Sequence, residues 1–235
     1  MTTETANIHE LEELHNRTHV FRDREHAGEI LASMLEKYRD TNALILGIPA
    51  GGVPVAAVIS RILNLSLDVV VAKKITPPWN TEFGYGAVAF DGTVHLNEAI
   101  LPQLNLSETE IIKGTEIAKS RVDKRTKLFR QNKPFPDVTN RPVILVDDGL
   151  ATGVTYRTAI KALRNLGAAE ILGATPTGHG QSVKEISREL DTLYCANIRT
   201  GLSYAVADAY EKWHDVPEKE VMEILQPALE AAVTH

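Results

Sequence analysis

Two adjacent carboxylates stand where a buried strand is expected to leave its sheet. Asp147 and Asp148 follow an apolar, mostly β-branched run at residues 143–146, which is typical of a strand covered on both faces. A loop of small residues at 149–155 comes next, and a helical pattern follows it. Because a helix N-terminus presents free N–H groups and a positive dipole end, this arrangement is typical of phosphate sites. Carboxylates repel phosphate but accept hydrogen bonds from hydroxyls, so the stretch predicts a sugar-phosphate site.

The loop itself is suited to close contact with an anion. Gly149 and Gly153 allow the backbone tight conformations and a close approach to a ligand. Thr152 and Thr155 add hydroxyl donors to the backbone N–H groups. Two acids after a strand often form an ordinary polar turn, but the whole string from 143 to 155, VILVDDGLATGVT, favours ligand binding.

This string carries a resemblance to a known family. It resembles the phosphoribosyl-pyrophosphate (PRPP) binding signature of the type I phosphoribosyltransferases, with four apolar residues, two acids and a small-Thr-Gly-x-Thr loop. Other stretches are similar to one branch of phosphoribosyltransferase-like proteins, namely residues 21–32, 47–56, 72–75, 77–88, 204–210 and 218–225. The resemblance covers nearly all of the chain. It implies an α/β, parallel-sheet type I phosphoribosyltransferase fold with a flexible loop and a small hood.

The resemblance also implies a reaction and a set of site residues. A nitrogenous acceptor would replace the pyrophosphate on C1 of PRPP, while Asp147 and Asp148 hold the ribose hydroxyls and stabilise the cationic ring. Lys74 would neutralise the pyrophosphate as a third catalytic residue. Since neighbouring strand residues face opposite sides, only one of Lys73 and Lys74 is expected to face the site. The residues implied to bind substrate are Ala50, Gly51, Gly52, Lys73, Gly149, Ala151, Thr152, Gly153, Val154 and Thr155.

Magnesium is the implied cofactor, bridging oxygens of the pyrophosphate and the ribose. It needs few protein ligands when phosphates supply the rest, so no protein metal ligand is predicted. The sequence does not identify the acceptor. Aromatic rings that could stack on it are Trp79, Phe83, Tyr85, Tyr204 and Tyr210, and residues 175–178 are candidates for the acceptor pocket. Packing in the core is an equal interpretation for each ring.

One residue departs from the family pattern. In this branch an arginine precedes the Gly-Gly of the pyrophosphate loop, and here that place is Ala50. Losing a charged hydrogen bond to an anion costs about 1.5–3 kcal/mol. The alternative function is therefore a non-catalytic sensor of PRPP or nucleotides, although Lys74 and a long loop at 74–91 favour an enzyme. A hydrolase is disfavoured, because Ala205 stands where a nucleophile elbow at 201–205 requires glycine.

The remaining pattern predicts the elements that position these residues. A strand at 43–48, a helix at 55–63 and a strand at 67–72 form a parallel strand–helix–strand unit. A hairpin at 87–96 turns at residues 91–92, and a long charged helix at 107–131 begins with a capping box of Ser107 and Glu110. We expect a single domain over residues 1–235, with a core at 21–196 and a hood at 197–235.

Composition excludes several classes of protein. With 235 residues, a net charge of −6 and 43% hydrophobic residues, the chain has enough apolar content for a core but no basic excess for nucleic acid or membrane surfaces. No apolar run approaches the roughly 18 residues of a membrane helix. Cys195 is the single cysteine, which favours a reducing, cytoplasmic setting. A small-molecule substrate is the expected partner, and a homodimer is the commonest symmetric state.

Overall fold

The computed structural model describes residues 7–80, 83–201 and 203–231. Its strands are β1 (Ile8–His9), β2 (Leu44–Gly47), β3 (Ser66–Val69), β4 (Ala72–Ile75), β5 (Gly86–Ala89), β6 (Val94–Leu96), β7 (Pro142–Val146), β8 (Glu170–His179) and β9 (Thr192–Arg199). Six of them form a sheet in the order β1-β9-β8-β7-β2-β3, and every neighbouring pair in it is parallel. The predicted α/β fold with a parallel sheet is confirmed.

Helices cover both faces of this sheet. They are α1 (Arg24–Met34), α2 (Gly52–Leu63), α3 (Glu108–Arg130), α4 (Val154–Asn165), α5 (Gly180–Ser187) and α6 (Glu218–Ala231). Alternate residues of β7 face opposite sides: Ile144 and Val146 pack in the cluster that contains α1 and α2, while Val143 and Leu145 pack in the cluster that contains α4 and α5. This double burial explains why residues 143–146 form an uninterrupted apolar run.

A second, antiparallel sheet of β4, β5 and β6 lies beside the first one. The hairpin prediction is confirmed, but the expected strand at 67–72 divides between β3 in the large sheet and β4 in the small one. Lys74 therefore lies in β4, paired with Ala87, and the loop predicted at 74–91 is shortened to the segment between β4 and β5. Residues 81–82 of that segment lie outside the described residues.

The long helix α3 begins as the sequence predicts. Ser107 is its N-cap, Glu110 N donates to Ser107 Oγ over 3.3 Å, and Ser107 N donates to Glu110 Oε2 over 2.9 Å. The buried residues Ala118, Val122 and Phe129 pack in a cluster with residues of β4, β5 and α6. This packing places the basic second half of α3 beside β4.

Both ends of the described chain join the core. β1 adds to the edge of the large sheet beside β9, so the sheet extends to residues before the predicted core. On the other side, Val221, Leu225 and Leu229 of α6 are buried against Val53 and Val69. The last helix thus closes the β3 edge of the molecule. None of the described helices is both long and apolar enough to cross a lipid bilayer.

The strand order has one topological switch point. From β2 the chain winds through α2 to β3 on one side, and from β7 it winds through α4 and α5 to β8 and β9 on the other. β2 and β7 are neighbours, with Gly47 opposite Val146. In open parallel sheets, ligands bind at the carboxyl ends of the strands that flank such a point. The loops at 48–52 and 147–155 both begin there.

Candidate active site

A cavity of about 380 Å³ lies at the switch point. Asp147, Asp148 and Thr155 line it from the β7–α4 segment, and Ala50 and Gly51 line it from the β2–α2 loop. Strand β4 and helix α3 close a third side. The other lining residues are Ile48, Pro49, Ala72, Lys73, Lys74, Thr76 and Arg121. Seven of the residues predicted for catalysis or substrate binding therefore share one cavity, namely Ala50, Gly51, Lys73, Lys74, Asp147, Asp148 and Thr155.

The two glycines of the β2–α2 loop are required by close contacts. A Cβ on Gly51 would lie 1.7 Å from Asp148 Oδ2, and a Cβ on Gly52 would lie 2.6 Å from the carbonyl oxygen of Val146. Gly52 thus lies behind the cavity, against the end of β7, while Gly51 faces the carboxylates. Ile48 N donates to Val146 O over 2.8 Å and fixes the start of the loop. The peptide bond between Pro49 and Ala50 is cis.

Asp148 is held by an arginine that sequence reasoning did not identify. Arg24, in the first turn of α1, donates from Nη2 and Nε to Asp148 Oδ2 over 2.8 and 3.0 Å. Its side chain is only 7% exposed and that of Asp148 is 15% exposed. Arg24 also donates to the carbonyl oxygen of His214 over 2.9 Å and lies 4.0 Å from the centre of the Trp213 ring. Arg24 therefore fixes the carboxylate, and residues 213–214 hold Arg24 in place.

Asp147 occupies a different environment. Its Oδ1 accepts a hydrogen bond from the backbone N–H of Asp148 over 2.9 Å. Burial raises the pKa of Asp147 well above the ordinary value of 3.8, and the charge of Asp148 raises it further. The two adjacent acids thus differ, because Asp148 has a cationic partner and Asp147 is the acid whose protonated form is favoured.

The predicted phosphate loop opens helix α4. Gly153 is its N-cap with a φ of 70°, in the left-handed region, and Ala151 and Thr152 are exposed. The first N–H groups of a helix have no intrahelical acceptor, so this turn can donate to an anion. Ser182 donates to the carbonyl oxygen of Ala151 and ties the loop to α5. Leu150 N also donates to Thr177 O over 2.9 Å.

Two other predicted loop residues serve the scaffold. A Cβ on Gly149 would lie 2.3 Å from Val206, so this glycine lets the 206–209 turn approach the site. Val154 is buried in the first turn of α4. Neither residue lines the cavity, and both positions set the shape of the loop.

Cations gather where β4 and α3 line the cavity. Lys73 and Lys74 both line the cavity, so strand alternation does not separate them as expected. Burial lowers the pKa of Lys73, and the nearby charges of Arg125 and Arg121 lower it further. Arg121 comes from α3 and lines the same cavity as Ala50. A guanidinium is therefore present in the site, although the β2–α2 loop lacks one.

The acceptor candidates are less well supported by the structure. Tyr85 and Tyr210 are 1% and 2% exposed and belong to the core, and Trp79 is 62% exposed. Tyr210 donates to the carbonyl oxygen of Asp148 over 2.7 Å, so its role is to support the acid. Thr175 and Thr177 are fully buried inside β8, which rules out their side chains as a pocket lining.

Comparison with known proteins identifies the family. A family profile described as "Phosphoribosyl transferase domain" matches residues 18–204, which include every residue of the β2–α2 and β7–α4 loops. The chain belongs to the phosphoribosyl transferase family. Two curated proteins from strains of Mycobacterium tuberculosis, each described as "Putative phosphoribosyl transferase", are 30% identical to it over 211 residues. That alignment covers 89% of this chain and 47% of each relative, so the chain spans about half of their length.

A solved structure shares the fold of this chain. The crystal structure of TT1426 from Thermus thermophilus superposes with a TM-score of 0.72 at 30% sequence identity. The match covers 88% of this chain and 98% of TT1426. The central parallel sheet is the one that the resemblance to type I phosphoribosyltransferases predicts.

Proposed function

We propose that this protein is a PRPP-dependent phosphoribosyltransferase, which transfers the phosphoribosyl group to a nitrogenous acceptor and releases pyrophosphate. The observation that carries the proposal is the shared cavity at the switch point. The adjacent acids and Thr155 line it from the β7–α4 segment, with Gly51 close beside Asp148, and two lysines and Arg121 line it from β4 and α3. A ligand with a sugar between two phosphate groups has hydroxyls for the acids, one anion for the lysines and Arg121, and a second anion for the N-terminus of α4.

Each part of PRPP has a proposed place. The 5-phosphate binds at the N-terminus of α4, where Ala151 and Thr152 of the preceding loop are exposed. The ribose hydroxyls donate to Asp147 and Asp148. The pyrophosphate lies against Gly51, with Lys73, Lys74 and Arg121 as its counter-charges.

The reaction develops positive charge on the ribose ring and negative charge on the departing pyrophosphate. The acceptor nitrogen forms a bond to C1, and the bond from C1 to the pyrophosphate oxygen breaks with its electron pair leaving on pyrophosphate. The acceptor nitrogen then loses its proton. Cations around the leaving group and carboxylates beside the ribose ring both stabilise this charge separation. Asp147, whose pKa is raised by burial and by the charge of Asp148, is suited to exchange a proton with the reacting groups.

The donor set around the cavity fits magnesium as a substrate-bound cofactor. Among the described residues, no three His, Cys, Asp or Glu side chains form a metal cluster. Beyond the sequence prediction of no protein ligand, an ionised Asp147 or Asp148 would supply a hard oxygen ligand, and the oxygens of PRPP would complete the coordination. The bound ion would neutralise charge on the pyrophosphate.

Calorimetric titration of PRPP with magnesium tests the proposal. We expect binding by the wild type and its loss in Asp147→Asn/Asp148→Asn. The matched control is Asp40→Asn, which removes one exposed carboxylate and leaves an amide oxygen to accept from Asn64. Binding that survives the double substitution would place PRPP elsewhere. No binding of PRPP, ribose 5-phosphate or a nucleoside monophosphate would overturn the sugar-phosphate site itself.

A sensor of PRPP or nucleotides is the second candidate, and Ala50 in the cavity wall favours it. An enzyme and a sensor differ in turnover. A panel of nitrogenous bases, followed by release of pyrophosphate, separates the two. Release with any base supports the transferase, and magnesium-dependent binding without release from the whole panel supports the sensor.

A further inference from the structure

A second cavity of about 300 Å³ adjoins the candidate active site. The two cavities share Lys73 and Arg121 in their linings, so these side chains stand between them. The second cavity extends away from the sheet along the basic half of α3 towards α6. Its remaining lining residues are Lys124, Arg125, Leu128 and Glu218.

The lining carries an excess of positive charge. Four cations face one carboxylate, that of Glu218. Glu218 Oε1 lies 2.9 Å from Arg125 Nε, which offsets one of the four. That Nε is buried and is not aligned for a hydrogen bond to any described acceptor. In the described part of the chain, no ion pair joins Lys73, Arg121 or Lys124 to a carboxylate.

These cations are close enough to affect one another. Burial lowers the pKa of Lys73, and Arg125 and Arg121 contribute through their charges. Bringing like charges together at a half-buried position costs free energy in the empty protein. A bound anion reverses this cost, because each cation then has a partner. The arrangement is therefore one that an anionic ligand stabilises.

We propose that this second cavity is an oxyanion subsite, in which Lys73, Arg121, Lys124 and Arg125 bind a phosphate group beyond the position of the pyrophosphate. The identity of its neighbour in the first cavity rests on the proposed function, but the subsite itself does not. The phosphate belongs either to a longer ligand that spans both cavities or to a separate ion beside it. Both sources have the same chemistry, and the probes below distinguish them.

Calorimetry with tripolyphosphate and pyrophosphate, at ~0.15 M salt and without PRPP, tests the subsite. We expect tripolyphosphate to bind about tenfold more tightly than pyrophosphate, because its third phosphate reaches the second cavity. Lys124→Gln should reduce the ratio of the two affinities by about fivefold or more, since Lys124 lines the second cavity and not the first. Lys127→Gln is the matched control: it removes the same charge from an exposed position of α3 outside both linings.

The control separates a defined contact from general attraction. At this salt concentration, charges more than about 8 Å apart are largely screened. The subsite is refuted if Lys124→Gln and Lys127→Gln change the affinity ratio equally. It is also refuted if tripolyphosphate binds no better than pyrophosphate and inorganic phosphate does not bind to the pyrophosphate-saturated protein. A gain confined to tripolyphosphate identifies a group on the same ligand. Binding of inorganic phosphate to the pyrophosphate-saturated protein, weakened by Lys124→Gln, identifies a separate ion.

The outcomes also distinguish this inference from the proposed function. PRPP binding that depends on Asp147 and Asp148 is independent of the ratio measured with Lys124→Gln. If PRPP does not bind but the affinity ratio still depends on Lys124, the protein has a polyphosphate site and is not a phosphoribosyltransferase. The reverse result would leave the transferase and remove the subsite.

Discussion

At the scale of single residues, Asp148 is held through both its side chain and its backbone. It follows β7, its side chain accepts from Arg24, and its carbonyl oxygen accepts from Tyr210. A buried ion pair adds little net stability, but removing one partner leaves a buried charge without compensation. The arrangement therefore fixes the orientation of the carboxylate more than it stabilises the fold.

Arg24→Gln should lower the free energy of unfolding by about 3 kcal/mol, because Asp148 would remain buried without its cation. Arg61→Gln is the control, since Arg61 and Glu25 form an ion pair with side chains 66% and 58% exposed. That substitution should cost less than about 1 kcal/mol. Urea unfolding measures both. Equal effects would show that the Arg24 pair is as weak as a surface pair.

Asp147→Asn should change how stability depends on pH. The pKa of Asp147 in the folded protein lies above its ordinary value of 3.8. Ionising Asp147 therefore lowers the free energy of unfolding as pH rises from 3.8 to the folded pKa. The variant avoids this cost and keeps an oxygen to accept from Asp148 N. Its free energy of unfolding relative to wild type should rise by up to about 1.4 kcal/mol per pH unit in that window, then level off. A difference that falls with rising pH would contradict the raised pKa.

Ala50→Arg should strengthen pyrophosphate binding by about tenfold or more, because it adds a guanidinium to the wall of the candidate site. Ala50→Gln has a long polar side chain without the charge and is the comparison. Calorimetry with pyrophosphate and magnesium measures the difference. If both variants bind pyrophosphate equally, the loop does not contact this anion.

At the scale of elements, the site depends on how closely the N-terminus of α2 approaches the end of β7. Gly51 lies against the carboxylate of Asp148 and Gly52 against the backbone at Val146 and Asp147. Gly51 has a φ of −66°, which any residue adopts. The requirement for glycine at this position is therefore one of space alone.

Gly51→Ala should cost about 1–3 kcal/mol, since its methyl group would displace Asp148. In an Asp148→Ala background the same substitution should cost at least about 1 kcal/mol less, because the clash is gone. Unfolding of the four proteins of this double-mutant cycle gives the coupling energy. Additive effects would mean that the alanine methyl group meets something other than Asp148.

The sequence predicts those helices, strands and loops that are determined by neighbouring residues in the chain. The strand, loop and helix at 143–165 follow from periodicity and glycine placement, and the start of α3 follows from Ser107 and Glu110. Arg24 lies 124 positions from Asp148, and no local pattern marks it as a buried partner. Arg121 belongs to a basic helix end that resembles a solvated surface until β4 is placed beside it. The division of residues 66–75 between two sheets is equally hidden, because periodicity does not show which strand a segment pairs with.

At the scale of the whole molecule, the C-terminal helix is part of the cooperative core. Val221, Leu225 and Leu229 of α6 are buried among residues of α2, α3 and β3. Lys133 also donates to the carbonyl oxygen of Leu229. A helix attached in this way should unfold together with the sheet.

Leu225→Ala should lower the free energy of unfolding by about 2–5 kcal/mol and keep a single transition. Ile112→Ala, at a position 56% exposed on α3, should change it by less than about 0.5 kcal/mol. Tryptophan fluorescence and circular dichroism should give the same midpoint for each protein. Two separate transitions would show that α6 unfolds on its own.

The ion pair of Arg24 and Asp148 has a consequence for synthesis on the ribosome. Asp148 is made long after Arg24, and Trp213 and His214, which enclose the guanidinium, follow about 65 residues later. At ~5–20 residues per second, a nascent chain spends several seconds with both partners made and their cover missing. The acid of the candidate site therefore reaches its final surroundings only after Trp213 and His214 have been made, so their synthesis sets the earliest moment when the site can be assembled.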